Sequence, residues 1–193
     1  MTDDIPNLWM PGPAAEAVRA AYRAARSIVE YGAGGSTVFA ARETEAAVLS
    51  IESDPEWTAR VRGWTADAGD RVTTRHVDIG PVGAWGAPKG PQGFRKYPSY
   101  PLSPWVDPVF GAPDLVMIDG RFRLGCFAAT VLNATAPLTI LWDDYLDRTG
   151  YHAAETLLPL AGMIGRMARF ELVPRSLTPA EISRMIPWFV LPG

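Results

Sequence analysis

The chain has 193 residues, of which 48% are hydrophobic and 20% charged, enough for one α/β domain with its own core. The formal net charge of −3 at pH 7 argues against a nucleic-acid-binding surface, which is normally basic, and the single cysteine, Cys126, excludes an intrachain disulfide and a zinc–cysteine cluster. No run approaches about 18 apolar residues, and the start, Met1-Thr2-Asp3-Asp4, is acidic rather than apolar. We therefore expect no membrane span and no signal peptide, and hence a cytoplasmic protein.

The first third of the chain alternates helical and strand patterns. Residues 13–27 repeat apolar side chains at helical spacing, which predicts an amphipathic helix ahead of a strand at 28–31. Further strands are predicted over 46–52 and 71–77, and the helix between them begins at the cap Asp54, with Pro55 at its first position. This alternation predicts an α/β fold with a mostly parallel central sheet covered by helices on both faces, in a single domain.

Residues 79–113 break this pattern, because they are rich in glycine, proline and aromatic side chains. A loop of this length in a compact domain is typical of a lid or a substrate-binding segment. We predict that Tyr97, Tyr100 and Trp105 recognise an acceptor molecule, and the alternative is a structural flap packed against the sheet edge.

Regular patterns return after residue 113. Strands are predicted over 114–120 and 137–142, helices over 121–134 and 151–160, a hairpin of 163–167 with 168–173, and a last helix from Thr178. The apolar C-terminal stretch 186–191 could pack back onto the domain or against a second copy, which would make a homodimer.

The stretch 28–37 reads as a short strand, a glycine turn and the start of a helix. Gly32, Gly34 and Gly35 allow positive φ and close approach of a ligand, and Ser36 or Thr37 is predicted to cap the helix. Free N–H groups at a helix start attract anionic or polar ligands, so the stretch predicts a nucleotide-type site.

Four predicted strands end in acids: Glu52, Asp78, Asp119 and Asp143. Ligands of open parallel sheets bind beyond these carboxyl ends. Glu52 follows Gly32 by twenty residues, a spacing at which a carboxylate can accept both hydroxyls of a ribose. An NAD fingerprint would require glycine at position 37, and Thr37 disfavours that class.

The pattern Glu30-x-Gly32-x-Gly34-Gly35-Ser36, followed by Glu52 and Asp78, resembles the S-adenosylmethionine (SAM) site of class I methyltransferases. The resemblance implies a Rossmann-like methyltransferase fold over nearly the whole chain. It also implies that the turn holds the methionine part of SAM and that the second and third strand ends hold its ribose and adenine. The cofactor-binding residues implied are Glu30, Gly32, Ala33, Gly34, Gly35, Ser36, Glu52, Ser53, Asp78, Ile79 and Asp119.

Three longer phrases resemble a group of small bacterial methyltransferase-like proteins of unassigned substrate. They are Glu30-Tyr31-Gly32-Ala33-Gly34-Gly35-Ser36-Thr37, Ile118-Asp119-Gly120-Arg121-Phe122-Arg123 and Asp143-Asp144-Tyr145.

Methyl transfer requires alignment of donor and acceptor, and often a base. The positions of Asp119, Asp143 and Asp144 resemble the magnesium site of small-molecule O-methyltransferases such as the catechol and macrocin enzymes. That resemblance implies Mg²⁺ on these three carboxylates, and the alternative is that they shape turns and cap a helix. His152 could face the site as a base or lie at the surface.

Arg121 and Arg123 follow Asp119 and could hold an anionic substrate, or they could form the solvated face of a helix. The leading hypothesis is a SAM-dependent methyltransferase acting on an oxygen of a small-molecule acceptor, with Asp119, Asp143 and His152 as catalytic candidates. A non-catalytic SAM- or nucleotide-binding protein with the same fold is the second hypothesis, and an NAD oxidoreductase is the third.

Overall fold

The computed structural model describes residues 5–106 and 112–193. Its centre is a seven-stranded sheet in the order β3-β2-β1-β4-β5-β7-β6. The strands are β1 Ser27–Tyr31, β2 Ala47–Glu52, β3 Val72–His76, β4 Leu115–Ile118, β5 Leu138–Trp142, β6 Gly162–Ile164 and β7 Met167–Leu172. The first five strands run parallel, and β7 lies antiparallel to both β5 and β6. The predicted mostly parallel sheet is confirmed.

Within residues 5–106 and 112–193, six α-helices flank the sheet: α1 Gly12–Ala24, α2 Gly35–Glu43, α3 Pro55–Trp64, α4 Ser99–Leu102, α5 Arg123–Asn133 and α6 Pro179–Met185. The first helix ends three residues before the predicted boundary, because the backbone is already extended at Ala25. The helix predicted over 151–160 is a shorter 3₁₀ helix, Thr149–Thr156. None of the helices in the described ranges is long and apolar enough to cross a lipid bilayer.

The central strands are buried on both faces, so successive residues of one strand pack alternately into two separate hydrophobic cores. Val29 packs into the larger core, with α5 on one face, while Ile28 packs into the smaller core, beside Val18 of α1. This is the alternation that a strand covered on both sides requires.

The predicted closing hairpin is confirmed with a different boundary. Gly165 has φ 58 and forms the turn with Arg166, so Met167 belongs to β7 rather than to β6. Arg166 therefore lies at the tip of the hairpin, near the end of β5.

The segment between β3 and β4 covers one face of the sheet. Tyr97 and Tyr100 are buried in the larger core, where both rings contact Phe122. The Tyr31 hydroxyl donates to the Pro101 carbonyl (2.6 Å), and the Trp105 indole donates to the Tyr31 hydroxyl (2.8 Å).

These tyrosines are therefore not free to stack on an acceptor, and the structural alternative is confirmed for this part of the loop. The predicted loop also includes residues 107–111, which lie outside the described residues, as do Met1–Asp4.

The C-terminal stretch packs back onto its own domain. Trp188 is buried in the larger core, and the Phe122 N–H donates to the Pro192 carbonyl (3.1 Å).

Candidate functional site

The turn after β1 lies directly against the turn after β4. Gly32 has φ 98, and a Cβ there would lie 2.7 Å from the Gly120 nitrogen. Glycine is therefore required at position 32 both for its backbone conformation and for the close approach. This contact lies where the strand order reverses, the usual place for a ligand in an open α/β sheet.

Glu30 is wholly buried beneath the turn, at 0% exposure. Its carboxylate accepts hydrogen bonds from the hydroxyls of Tyr22 (2.8 Å), Ser50 (2.7 Å), Ser36 and Thr37. Burial raises the pKa of Glu30, and the four hydroxyl donors oppose that rise. Glu30 thus ties the glycine turn and the start of α2 to β1 and β2, and its carboxylate does not reach the surface.

The predicted cap of α2 is corrected: Gly34 is the N-cap, and Ser36 and Thr37 lie in the first turn of the helix, where both hydroxyls donate to Glu30. The helix starts after Gly34, whose N–H donates to the Thr37 hydroxyl (2.9 Å). The space beside Gly34 is open, since a Cβ there would meet nothing within 4 Å. Ala33 is buried, and its carbonyl accepts from the Trp57 indole (2.7 Å).

The N-terminal segment crosses the start of α2. A Cβ on Gly35 would collide with the backbone of Asn7 and Leu8. Residues 7 and 8 thus border the glycine turn, a position that no periodicity in the sequence indicates.

Glu52 lies at the end of β2 beside the turn and is only 8% exposed. One carboxylate oxygen accepts from the N–H groups of Ser53 (2.6 Å) and Asp54 (3.0 Å), and the other accepts from the Ala33 N–H (3.3 Å). Burial raises the pKa of Glu52, while these backbone donors counteract it. The Ser53 hydroxyl donates to the Gly86 carbonyl (2.9 Å), which places the short 3₁₀ helix Ala84–Gly86 over this carboxylate.

Asp78 and Ile79 follow β3 and differ in exposure. Asp78 is exposed and accepts from Lys96 Nζ (2.6 Å) and the Gly80 N–H (2.8 Å). The Lys96 hydrogen bond is the main cause of the lowered pKa of Asp78. Ile79 is buried in the larger core, with Gly93 packed against its carbonyl.

The acids after β4 and β5 come together as predicted. Asp119, Asp143 and Asp144 each direct a carboxylate oxygen to one place, and these atoms lie within 4.8 Å of one another. Two arginines occupy the cluster. The buried Arg123 pairs with Asp119 (3.0 Å) and with Asp144 (3.6 Å), and Arg166 pairs with Asp144 (3.0 Å).

Arg166 also donates to both oxygens of Asp143, from Nε (3.0 Å) and Nη2 (2.6 Å). Three carboxylates are a suitable donor set for Mg²⁺. Here, however, a metal would have to displace a bidentate guanidinium from the buried Asp143. The residues present do not fit a magnesium ion, and the implied Mg²⁺ site is not supported.

Arg123 is 3% exposed, so it neither extends toward an anionic substrate nor forms a solvated helix face. Its guanidinium donates to the carbonyls of Gly120 (2.9 Å), Asp143 (2.6 Å) and Asp119 (2.9 Å) from inside the protein. Arg121 is half-buried. Arg166, which shares the cluster, has no distinguishing signal in the sequence beyond a glycine before it.

Asp119 has an unusual carboxyl group. Burial raises its pKa to about 7, Arg123 opposes that rise, and the nearby Asp143 and Asp144 reinforce it. A carboxyl group with a pKa near the working pH is suited to accept a proton.

The two histidines lie in different surroundings. The His152 ring lies on that of Tyr145, with 5.0 Å between centroids, in the Thr149–Thr156 helix. His76 Nε2 lies 3.2 Å from the Ser53 carbonyl, beside β2. His152 therefore packs on an aromatic side chain that follows β5.

A cleft of about 410 Å³ opens between the N-terminal segment and the acid cluster. Its lining residues are Leu8, Trp9, Met10, Pro11 and Arg166. Trp9 is 90% exposed there, and Leu8 and Met10 are half-buried against the smaller core.

Comparison with solved structures gives the chain a clear relative. A methyltransferase-like protein from Silicibacter pomeroyi is 42% identical, with a TM-score of 0.91, over 97% of this chain and 99% of that chain. The O-methyltransferase TomG from Streptomyces achromogenes, involved in tomaymycin synthesis and solved with SAM, has a TM-score of 0.54 at 16% identity, covering 89% and 84%. The O-methyltransferase from Bacillus cereus, in complex with SAH, has a TM-score of 0.51 at 12% identity, covering 94% and 70%.

The last two likenesses concern the fold alone. No protein-family model matches the chain, and no curated protein matches it.

Proposed function

Because the chain belongs to the class I SAM-dependent methyltransferase superfamily, as a methyltransferase-like member, we propose that it binds SAM at the glycine turn. We further propose that it transfers the methyl group to an oxygen of a small-molecule acceptor. The observation that carries this proposal is the position of Glu52, which lies beside the glycine turn with one carboxylate oxygen bound only weakly, by the Ala33 N–H at 3.3 Å. That oxygen retains lone pairs for a ribose hydroxyl.

The residues present fit SAM in three places. The open space beside Gly34 suits the methionine part, and Glu52 with Ser53 suits the ribose. The exposed Asp78 suits the adenine amino group, with Ile79 at the base of that region. Glu30 contributes to SAM binding by holding the glycine turn in place rather than by contacting SAM itself.

When bound, SAM supplies a sulfonium methyl group that an oxygen nucleophile attacks, and S-adenosylhomocysteine (SAH) leaves. Asp119 takes the proton that the acceptor hydroxyl loses, because its pKa of about 7 leaves a useful fraction ionised at neutral pH. Asp143, which is 1% exposed and bound to Arg166 through both oxygens, positions that arginine. We assign no step to His152 and none to a metal ion.

A non-catalytic SAM-binding protein is the second candidate, and one observation favours it. Gly86 and Gly93 pack over Glu52 and Ile79, so the chain itself covers part of the ribose and adenine regions. Both candidates bind SAM, so a measurement of methyl transfer rather than of SAM binding distinguishes them.

The test combines calorimetry with an assay of SAH release. We expect SAM and SAH to bind the wild-type protein, Glu52→Gln to lose most of that affinity, and the exposed Glu56→Gln in α3 to keep it. Absence of SAM binding would overturn both candidates. If SAM binds but no member of a panel of hydroxylated acceptors causes SAH to be formed, the result favours the non-catalytic candidate.

A further inference from the structure

We propose that the cleft between residues 8–11 and Arg166 is the acceptor site, and that it takes a planar, largely apolar molecule with a neutral phenol-like hydroxyl. This inference rests on the proposed function, since it names the acceptor class for the same reaction. Tyr97 and Tyr100, which the sequence favoured for this role, are buried in the larger core.

The location of the cleft is the first argument. One wall is the N-terminal segment, whose residues Asn7 and Leu8 lie against Gly35 in the glycine turn. The other wall is Arg166, which is bound to Asp143 and Asp144 in the acid cluster. The cleft therefore lies between the segment that borders the donor turn and the arginine that is bound to the acid cluster. An acceptor must lie close to both the donor and the base for in-line transfer.

The apolar wall is the second argument. Leu8 and Met10 pack against the smaller core on either side of Trp9, and the Met10 N–H donates to the Leu8 carbonyl (3.0 Å). This tight turn directs the Trp9 side chain outward, where the indole is 90% exposed. An exposed indole on an anchored backbone is a stacking surface, and a planar ligand would remove its apolar area from water.

The polar wall is the third argument, and it sets the charge of the ligand. The Arg166 guanidinium has five N–H groups, and its contacts with Asp143 and Asp144 use three of them. Among the residues that the structure describes, these contacts leave two donors, on a side chain that is 35% exposed. They can bind a hydroxyl oxygen. The adjoining carboxylates of Asp143 and Asp144 disfavour an anionic ligand.

The experiment uses the full chain labelled with 5-fluorotryptophan, observed by ¹⁹F NMR in the presence of SAH. The chain has seven tryptophans, and Trp9→Phe and Trp64→Phe variants assign two of the resonances. Trp64 is the control, because it lies at the C-terminal end of α3, outside the cleft and outside the residues proposed to bind SAM. On titration with 2-naphthol we expect the Trp9 resonance to shift in a saturable way and the Trp64 resonance to stay unchanged.

A Trp9→Ala substitution should weaken 2-naphthol binding by about tenfold, whereas Trp64→Phe should leave it unchanged. The carboxylate analogue 2-naphthoate should bind more weakly than 2-naphthol. If SAH binds but the Trp9 resonance does not move, or both tryptophan variants behave alike, the acceptor site is not here. If SAH itself does not bind, the proposed function fails instead, so the two failures are distinguishable.

Discussion

Arg166 donates hydrogen bonds from Nε and Nη2 to the two carboxylate oxygens of Asp143, at 3.0 and 2.6 Å. The arginine lies in the β6–β7 turn and the aspartate at the end of β5, so the pair fastens the antiparallel hairpin to the parallel part of the sheet. It also places a guanidinium on the carboxylates for which the sequence resemblance implied Mg²⁺. The acid cluster is therefore neutralised largely by the chain itself.

The first prediction concerns divalent cations. Because Arg166 and Arg123 already form ion pairs with Asp143, Asp144 and Asp119, we expect SAM affinity and SAH release to be the same with Mg²⁺ as with EDTA. Calorimetry and the release assay in both buffers measure this directly. The prediction would be contradicted if Mg²⁺ increased SAM affinity or SAH release in the wild-type protein and this increase were absent in Asp143→Asn.

The second prediction concerns the stability that the Arg166–Asp143 pair provides. Arg166→Met leaves the buried Asp143 carboxylate without its bidentate partner, and because the arginine is partly exposed we expect a loss of about 1–3 kcal/mol of unfolding free energy. Arg169→Met is the control on the same hairpin, because its pairing with Glu171 is exposed and should contribute less than about 1 kcal/mol. Urea denaturation of both variants gives the comparison. Equal losses of unfolding free energy in the two variants would show that the Arg166–Asp143 pair stabilises the protein no more than the exposed Arg169–Glu171 pair.

The third prediction concerns the buried carboxylate beneath the glycine turn. Glu30→Gln replaces one acceptor oxygen by an amide donor that faces hydroxyls, so we expect about 1–3 kcal/mol of destabilisation and weaker SAM binding. The exposed Glu16→Gln on α1 should change neither quantity. Thermal unfolding and calorimetry measure the two effects. A Glu30→Gln variant with unchanged stability would mean that the four hydroxyls do not depend on this acceptor.

The fourth prediction concerns pH. The pKa of Asp119 is about 7 in the folded protein and near its ordinary value of 3.8 in the unfolded chain. At a pH between these two values, Asp119 is therefore protonated in the folded protein and ionised in the unfolded chain. The contribution of Asp119 to stability therefore falls as the pH rises from about 4 to about 7. Relative to wild type, Asp119→Asn should become progressively more stable over that range and level off above it.

Asp114→Asn is the control for this titration, because the shift at Asp114 has the opposite sign. Burial acts to raise the pKa of Asp114, but the N–H groups of Ser27 and Arg26 outweigh it and the net pKa is lowered. Its stabilisation is present above its ordinary pKa and is lost as the pH falls. Between about pH 4 and about pH 7, urea titrations should thus show a rising relative stability for Asp119→Asn and no trend for Asp114→Asn, whose difference from wild type changes only below pH 3.8. Parallel trends in that range would contradict the assignment.

Local patterns in the sequence predicted much of this architecture. The strand at Ile28, the cap at Asp54 and the acid-ended strands are short-range features, and neighbouring residues decide them. The meeting of Asp119 with Asp143 followed from one further rule, that parallel strand ends share an edge. The seven-stranded sheet and the relative at 42% identity confirm the fold and the family.

Contacts between distant segments decided the rest. Whether Ser36 caps its helix or binds Glu30 depends on a carboxylate that β1 buries, and the hydroxyl goes to the buried acceptor because an unpaired one would be costly. Whether Tyr100 faces a ligand or the core depends on how the segment before β4 folds over the sheet.

The sequence by itself determined the glycine turn, the acid-ended strands and the α/β class, because backbone conformation and hydrophobic period are local properties. Only the tertiary structure brought Arg166 to Asp143 and the N-terminal residues to Gly35. The physical reason is that an ion pair or a cleft wall joins groups far apart in the chain, and their meeting depends on the packing of the whole sheet.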